Sequence, residues 1–242
     1  MGIRILVWNE FVHEKQEPEI AAVYPEGIHR VLAAAFGEHP ALAGATVRTA
    51  TLADPDCGLT DAVLRETDVL VWWGHVAHHL VPDETARLVA DHVLRGMGLV
   101  VLHSGHFSKP FKLLMGTSCT LKWRDGDRER LWTASPGHPI LRGVPEHFEL
   151  LVEEMYGEPF DIPTPDETLL IGWFAGGEVF RSACLFRRGL GQVFYFQPGH
   201  EANPTFYDAN VRRILGNAVS FVAPARRSDS LDCLNVEALE KR

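Results

Sequence analysis

The chain has 242 residues, of which 46% are hydrophobic and 23% charged, and its formal net charge is -9. This length suits one α/β domain, and the acidic balance argues against a nucleic-acid or anionic-membrane partner, which would require a basic patch. The sequence has no apolar run of about 18 residues and no signal peptide, so we expect a cytoplasmic protein without a membrane span. The four cysteines are scattered without a CxxC pair and are expected to be free thiols.

The first half of the chain alternates predicted strands and helices. The predicted strands are Ile3–Trp8, Val47–Thr51, Val69–Trp73 and Leu99–Leu102, and the intervening helices cover residues 28–35, 60–65 and 82–95. Repeated βαβ units with short connections favour a doubly wound, mainly parallel sheet.

The second half has a looser pattern. Residues 117–165 contain many prolines and predict a β-rich insertion. A hairpin follows, with its turn at residues 175–177, and then a strand over 192–197 and a helix over 208–222. We therefore predict a single domain over residues 1–224 and a charged tail over residues 225–242. The insertion and the tail are candidate interfaces for a homo-oligomer.

Polar side chains follow the predicted strands where those strands end. His103 and His106 come directly after the apolar strand Leu99–Leu102, and His200 follows the strand over 192–197. Open α/β sheets bind ligands at the carboxyl ends of their strands, so we expect these side chains to share one crevice. Histidine and carboxylate groups suit both acid–base chemistry and divalent metals.

Several candidate residues have an alternative interpretation. Most single histidines are surface or satisfied core residues, although we favour a role for His103 and His200. Ser104 is a candidate nucleophile but fits a helix N-cap better. Lys109 either binds an anionic or hydroxyl-rich substrate or is simply solvated. Six aromatic residues could stack on sugar rings, although core packing is the stronger expectation for Trp72 and Trp173; the six are Trp72, Trp73, Phe107, Trp123, Tyr156 and Trp173. No GxGxxG motif or P-loop is present, so we expect no nucleotide cofactor.

Five separated segments carry a family resemblance, namely VWNEF, WWGHVAHH, GLVVLHSGHFSKPF, EEMYGEPF and FYFQPGHE. They resemble the trehalose-utilisation, or ThuA-like, family over roughly residues 2–222. The resemblance implies a flavodoxin-like doubly wound sheet like that of class I glutamine amidotransferases. It also implies a role in the utilisation of trehalose and related disaccharides, at the level of keto-sugar derivatives.

The amidotransferase comparison also excludes one activity. Those enzymes place a cysteine nucleophile at a strand-to-helix elbow, and here His103 occupies that position. Their catalytic His-x-Glu has an approximate counterpart in His200-Glu201, at altered spacing. Because an imidazole does not form the same acyl intermediate as readily as a thiolate, we do not expect a Cys-dependent glutaminase.

These observations favour an enzyme acting on a disaccharide or its keto-sugar derivative. Its expected catalytic residues, and the expected ligands of a divalent metal such as zinc or manganese, are His103, Glu154 and His200. Strand alternation leaves open whether Glu153 or Glu154 faces the site. The residues expected to contact the carbohydrate are Asn9, His75, His106, Lys109, Tyr156 and Glu201. The alternatives are a non-catalytic sugar-binding or regulatory protein and a hydrolase that uses Ser104.

Overall fold

The computed structural model describes residues 2–240 and contains one nine-stranded sheet flanked by helices. The strands are β1 Arg4–Asn9, β2 Thr46–Thr51, β3 Val69–Trp73, β4 Gly98–Leu102, β5 Lys122–Thr133, β6 His147–Gly157, β7 Glu167–Phe174, β8 Val179–Arg188 and β9 Gly191–Phe196. The helices are α1 His13–Gln16, α2 Pro18–Val23, α3 Ile28–Glu38, α4 Asp61–Arg65, α5 Asp83–Leu94, α6 Lys109–Met115 and α7 Ala209–Val222. Within residues 2–240, no helix has both the length and the apolar composition needed to cross a bilayer.

The sheet is mixed, which corrects the expectation of a mainly parallel sheet. The strand order is β2-β1-β3-β4-β9-β8-β7-β5-β6. The pairings from β2 to β9 are parallel, and those from β9 to β6 are antiparallel. The βαβ pattern of the first half does not continue, because the later strands follow one another through turns and loops without crossover helices.

The central strands are buried because helices cover both faces of the sheet. On one face, Val100 and Leu102 of β4 belong to a core cluster that includes residues of α3 and α7. On the other face, Leu99 and Val101 belong to a cluster that includes residues of α5 and α6. Burial on both faces explains why β3 and β4 are continuous apolar runs without polar alternation.

Side-chain caps fix several helix ends close to the predicted positions. Asp208 Oδ1 accepts from the amides of Asn210 and Val211, so α7 begins one residue after its cap. Ser104, which was expected to be an N-cap, does not cap a helix. Residues 103–107 form a 3-10 turn, and Ser108 caps α6 instead by accepting from the amide of Phe111.

The hairpin formed by β5 and β6 brings the insertion back to the strand exits. Only Glu129–Thr133 of β5 pairs with β7. The earlier part of β5 pairs with β6 through two register shifts, which bend the hairpin. The Gln197 amide donates to the Glu154 carbonyl oxygen at 3.1 Å, which attaches the end of β6 to the exit of β9.

Candidate functional site

His103 lies at the sharp turn that follows β4. Its φ is 50°, a left-handed conformation that is uncommon for residues other than glycine and that tends to occur at functional sites. The side chain is fully buried. Its Nδ1 lies 2.9 Å from the Gln197 carbonyl oxygen, so Nδ1 carries a proton and donates it. In the neutral ring, Nε2 therefore presents a lone pair to the site.

Three imidazoles and one carboxylate converge at this turn. The ring centroids of His75, His103 and His200 lie 5.3–5.7 Å from one another. Each of these histidines and Glu154 offers a ligand atom, and the four atoms lie within 4.8 Å of one another. The structure thus places together the three residues expected to be catalytic or metal-binding, and it adds His75 to them.

Glu154 faces the site, whereas Glu153 points away from it, as alternation along β6 requires. Glu154 Oε2 lies 3.0 Å from His103 Nε2. Glu153 is buried behind the site, where it accepts from the Gly199 amide at 3.2 Å and from the Thr205 hydroxyl. Glu153 therefore anchors the loop that carries His200.

His103 and Glu154 form the central pair of the cluster, and their charges depend on the contact between them. Burial alone would lower the pKa of His103, but the hydrogen bond to Glu154 and its charge raise that pKa above the ordinary value. Burial opposes ionisation of Glu154, yet His103 holds the pKa of this carboxyl below its usual range. Glu154 is therefore ionised at neutral pH. Burial and the charge of His103 lower the pKa of His200 to about 4, so this ring is neutral.

Glu201 supports His75 from behind. The His75 Nδ1 atom lies 2.8 and 2.9 Å from the two carboxylate oxygens of Glu201, and His13 contacts the same carboxylate. Such a pairing fixes the imidazole tautomer and leaves Nε2 to face a ligand. Burial opposes ionisation of Glu201, but its bonds to His13 and His75 hold its pKa far below the ordinary value.

His106 and Tyr156 form the wall next to His103. The Tyr156 hydroxyl lies 3.4 Å from His103 Nε2, and the two rings stack at 5.1 Å. Burial raises the Tyr156 pKa well above 10.0, so the phenol keeps its proton. His106 Nδ1 donates to the Cys119 carbonyl oxygen at 2.7 Å, and burial lowers the pKa of His106 to about 3.

Two residues expected to contact substrate lie outside this group. Asn9 is fully buried, and its amide binds Glu14 and His29 at 2.7 and 3.1 Å, so it organises the chain after β1. Lys109 bonds to the Val81 carbonyl oxygen and to Asp83, which explains its position without a substrate. Ser104 lines the cleft, where its hydroxyl donates to the Gly74 carbonyl oxygen at 3.4 Å.

A cleft of about 330 Å³ opens beside the cluster. Its lining includes Glu154, His75 and His200 of the cluster, together with the apolar side chains of Phe107, Leu121 and Trp123. The Trp123 side chain is 61% exposed. Sequence reasoning did not identify Gln197 or His13 as supporting residues. An exposed glutamine or histidine has the same local pattern, and only the fold shows which backbone and carboxylate groups they meet.

The family model described as "ThuA: Trehalose utilisation" matches residues 4–222, and the chain belongs to this family. No curated protein matches the sequence.

Solved structures show the same fold at low identity. A ThuA-like protein from Parabacteroides merdae is 15% identical with a TM-score of 0.66, covering 96% of this chain and 93% of that one. A ThuA-like protein from Bacteroides uniformis is 14% identical with a TM-score of 0.64, covering 89% of each chain. A protein from Salmonella typhimurium, named a cytoplasmic protein, is 12% identical with a TM-score of 0.61, covering 92% of this chain and 100% of that one.

Proposed function

We propose that this member of the trehalose-utilisation family is an enzyme that acts on a neutral sugar or keto-sugar in the cleft beside His103. In this proposal His75, His103, Glu154 and His200 hold a divalent metal, zinc or manganese. The observation that carries the proposal is the convergence of four donor atoms within 4.8 Å of one another, on segments that are far apart in sequence.

The residues fit a metal because, when the His103 ring is neutral, its Nε2 atom and a Glu154 oxygen are two acceptors that face each other. His103 donates from Nδ1, so its Nε2 presents a lone pair, and this atom lies 3.0 Å from Glu154 Oε2. Within the described residues, the buried Oε2 atom has no partner of good hydrogen-bond geometry. A proton or a cation between the two atoms removes the repulsion between their lone pairs. Ligand atoms of a tetrahedral zinc lie about 3.3 Å apart, close to this separation.

A bound metal would polarise a substrate carbonyl or lower the pKa of a bound water. The protein's own groups supply acid and base. Glu154 is ionised and can accept a proton at a carboxylate oxygen, whereas the Tyr156 phenol keeps its proton and can donate a hydrogen bond. Where Glu154 does not hold a metal, it is placed to take the α-proton of a keto-sugar beside it, as an isomerisation or an elimination requires.

The lining of the cleft favours an uncharged substrate. Of the described residues, those that line it include the acidic Asp125 and Glu154 but no lysine or arginine. Arg124, between two lining residues of β5, instead bonds to Glu178 and Asp127. A phosphorylated sugar would meet carboxylates without a balancing guanidinium or ammonium group. The exposed indole of Trp123 offers a face for the C–H groups of a sugar ring.

We also propose a cytoplasmic location, because two structural neighbours from Salmonella typhimurium are named cytoplasmic proteins.

The metal is tested by elemental analysis and by thermal unfolding after chelator treatment and reloading. We expect about one zinc or manganese ion per chain, a rise in Tm on reloading, and loss of both effects in H103A. H79A is the matched control, because His79 is an exposed histidine four residues after His75 and does not belong to the group of converging ligand atoms. Wild-type protein with no bound metal and no shift would contradict the metal assignment.

A sugar-binding protein without catalysis is distinguished by turnover. Product formation from a keto-disaccharide should disappear in H103A, while isothermal titration measures any remaining sugar affinity. Unchanged sugar affinity in H103A, together with no turnover by the wild type, would favour the binding protein instead.

A further inference from the structure

A second acidic side chain, Glu129 of β5, lies fully buried behind the His/Glu cluster. The charged group that faces it is another carboxyl, Glu153 of β6, and the phenol of Tyr195 in β9 also lies near it. Within residues 2–240, Glu129 Oε2 has no hydrogen-bond partner. An ionised carboxylate accepts at both oxygens, so burial in this environment is costly for the charged form.

The fold makes room for this carboxyl. Gly172 of β7 lies beside it, and a Cβ atom at that position would overlap Glu129 Oε1 and Ser182 Oγ. The missing side chain at residue 172 therefore creates the space in which the acid meets the hydroxyl.

The hydrogen bonds around Ser182 require one more proton than the hydroxyl supplies. Ser182 Oγ lies 2.8 Å from Glu129 Oε1 and 3.2 Å from Gln197 Oε1. The Gln197 Nε2 group donates to the Glu154 carbonyl oxygen at 3.1 Å, which fixes the amide orientation and leaves Oε1 facing Ser182. One hydroxyl hydrogen cannot serve two acceptors, so Glu129 must donate if both bonds are made.

We propose that Glu129 is a neutral carboxylic acid that donates to Ser182, which donates to Gln197, which in turn donates to the Glu154 backbone. The chain of bonds passes through the side-chain amide of Gln197, and the backbone carbonyl oxygen of the same residue accepts from His103 Nδ1 at 2.9 Å, so Gln197 contacts both members of the central pair. Burial and the neighbouring Glu153 raise the pKa of Glu129 well above its ordinary value, in agreement with the donor count. Glu129 is thus a positioning residue, and its functional consequence rests on the proposed role of His103 and Glu154.

The protonation state is tested by infrared difference spectroscopy at pH 7. The spectrum of wild type minus E129Q should show the carbonyl band of a protonated carboxyl group. E149Q is the control, because Glu149 lies in the same hairpin but pairs with Arg130 at the surface, and its difference spectrum should show a carboxylate. A carboxylate band in the wild type minus E129Q spectrum would overturn the proposal.

The positioning role is tested by the nitrogen-15 spectrum of histidine-labelled protein without added metal. The His103 Nδ1–H signal should persist in E129Q, whose amide can donate to Ser182, and should shift or broaden in E129L. S182A serves the same purpose as a milder variant if E129L does not fold. An unchanged signal in S182A would overturn the positioning role.

These readouts separate the two proposals. Zinc affinity should fall about 10-fold in S182A, the size expected for loss of an outer-shell contact, and should be retained in E129Q. If zinc does not bind but the carboxyl band and the His103 signal behave as described, the assignment of Glu129 stands and the metal function fails.

Discussion

The carboxylate of Glu201 provides the sharpest test of how the His/Glu cluster is organised, through the substitution E201Q. The change preserves size but replaces two acceptor oxygens with one oxygen and one amide donor. His75 Nδ1 lies 2.8 and 2.9 Å from the two oxygens, and His13 contacts the same group. Glutamine places an amide donor where the second oxygen faces His75 Nδ1, so His75 loses one of its two acceptor contacts and both imidazoles lose the negative charge of the carboxylate.

The expected size of the effect follows from that lost bond. A hydrogen bond to a charged group contributes about 1.5–3 kcal/mol, and loss of a carboxylate behind a metal-binding histidine lowers affinity about 10–100-fold. We therefore expect the zinc dissociation constant of E201Q, measured by competition with a chromogenic chelator, to rise within that range. E66Q is the control, because Glu66 forms an exposed pair with Arg48. An E201Q protein that is folded and binds zinc like the wild type would refute the reasoning.

Three further predictions concern stability and substrate binding. G172A should lower the free energy of unfolding in urea by about 1–3 kcal/mol, because the methyl group enters the space of the Glu129 carboxyl. G37A, at an open helical position, should not lower it. Equal stability of G172A and the wild type would contradict the packing argument. Burial lowers the His29 pKa to about 4, so as pH falls the histidine of the unfolded chain is protonated before that of the folded protein. The free energy of unfolding should therefore decrease from pH 6.5 to 4, and it should decrease less steeply in H29Q. The same pH dependence in both proteins would exclude His29 as the cause. W123A should weaken trehalose binding in titration calorimetry with little change in Tm, because the indole is exposed at the cleft; an unchanged affinity would remove Trp123 from the sugar site.

The first half of the fold could be predicted because its signals are local. β3 has the predicted bounds Val69–Trp73, and the cap at Thr60 determines where α4 begins. The antiparallel half was not predictable in the same way. Pairing of β5 with β7 depends on contacts between segments distant in sequence, which period and turn residues do not specify.

The candidate site was predictable in its location but not in its internal bonds. Strand exits indicated His103 and His200, and the fold brings their rings to 5.4 Å. Asn9 also lies at the end of a strand, yet its side chain turns into the protein to bond Glu14. Sequence patterns do not reveal side-chain direction after a strand ends, because the following turn decides it. The catalytic or metal-binding roles of His103 and His200 stay predictions.

The most direct measurement is anomalous diffraction at the zinc edge from crystals of the wild-type protein loaded with zinc. The account predicts an anomalous peak between the side chains of His75, His103, Glu154 and His200, and no such peak in H103A crystals prepared in the same way. A strong zinc peak elsewhere on the protein, with none at this cluster, would contradict it.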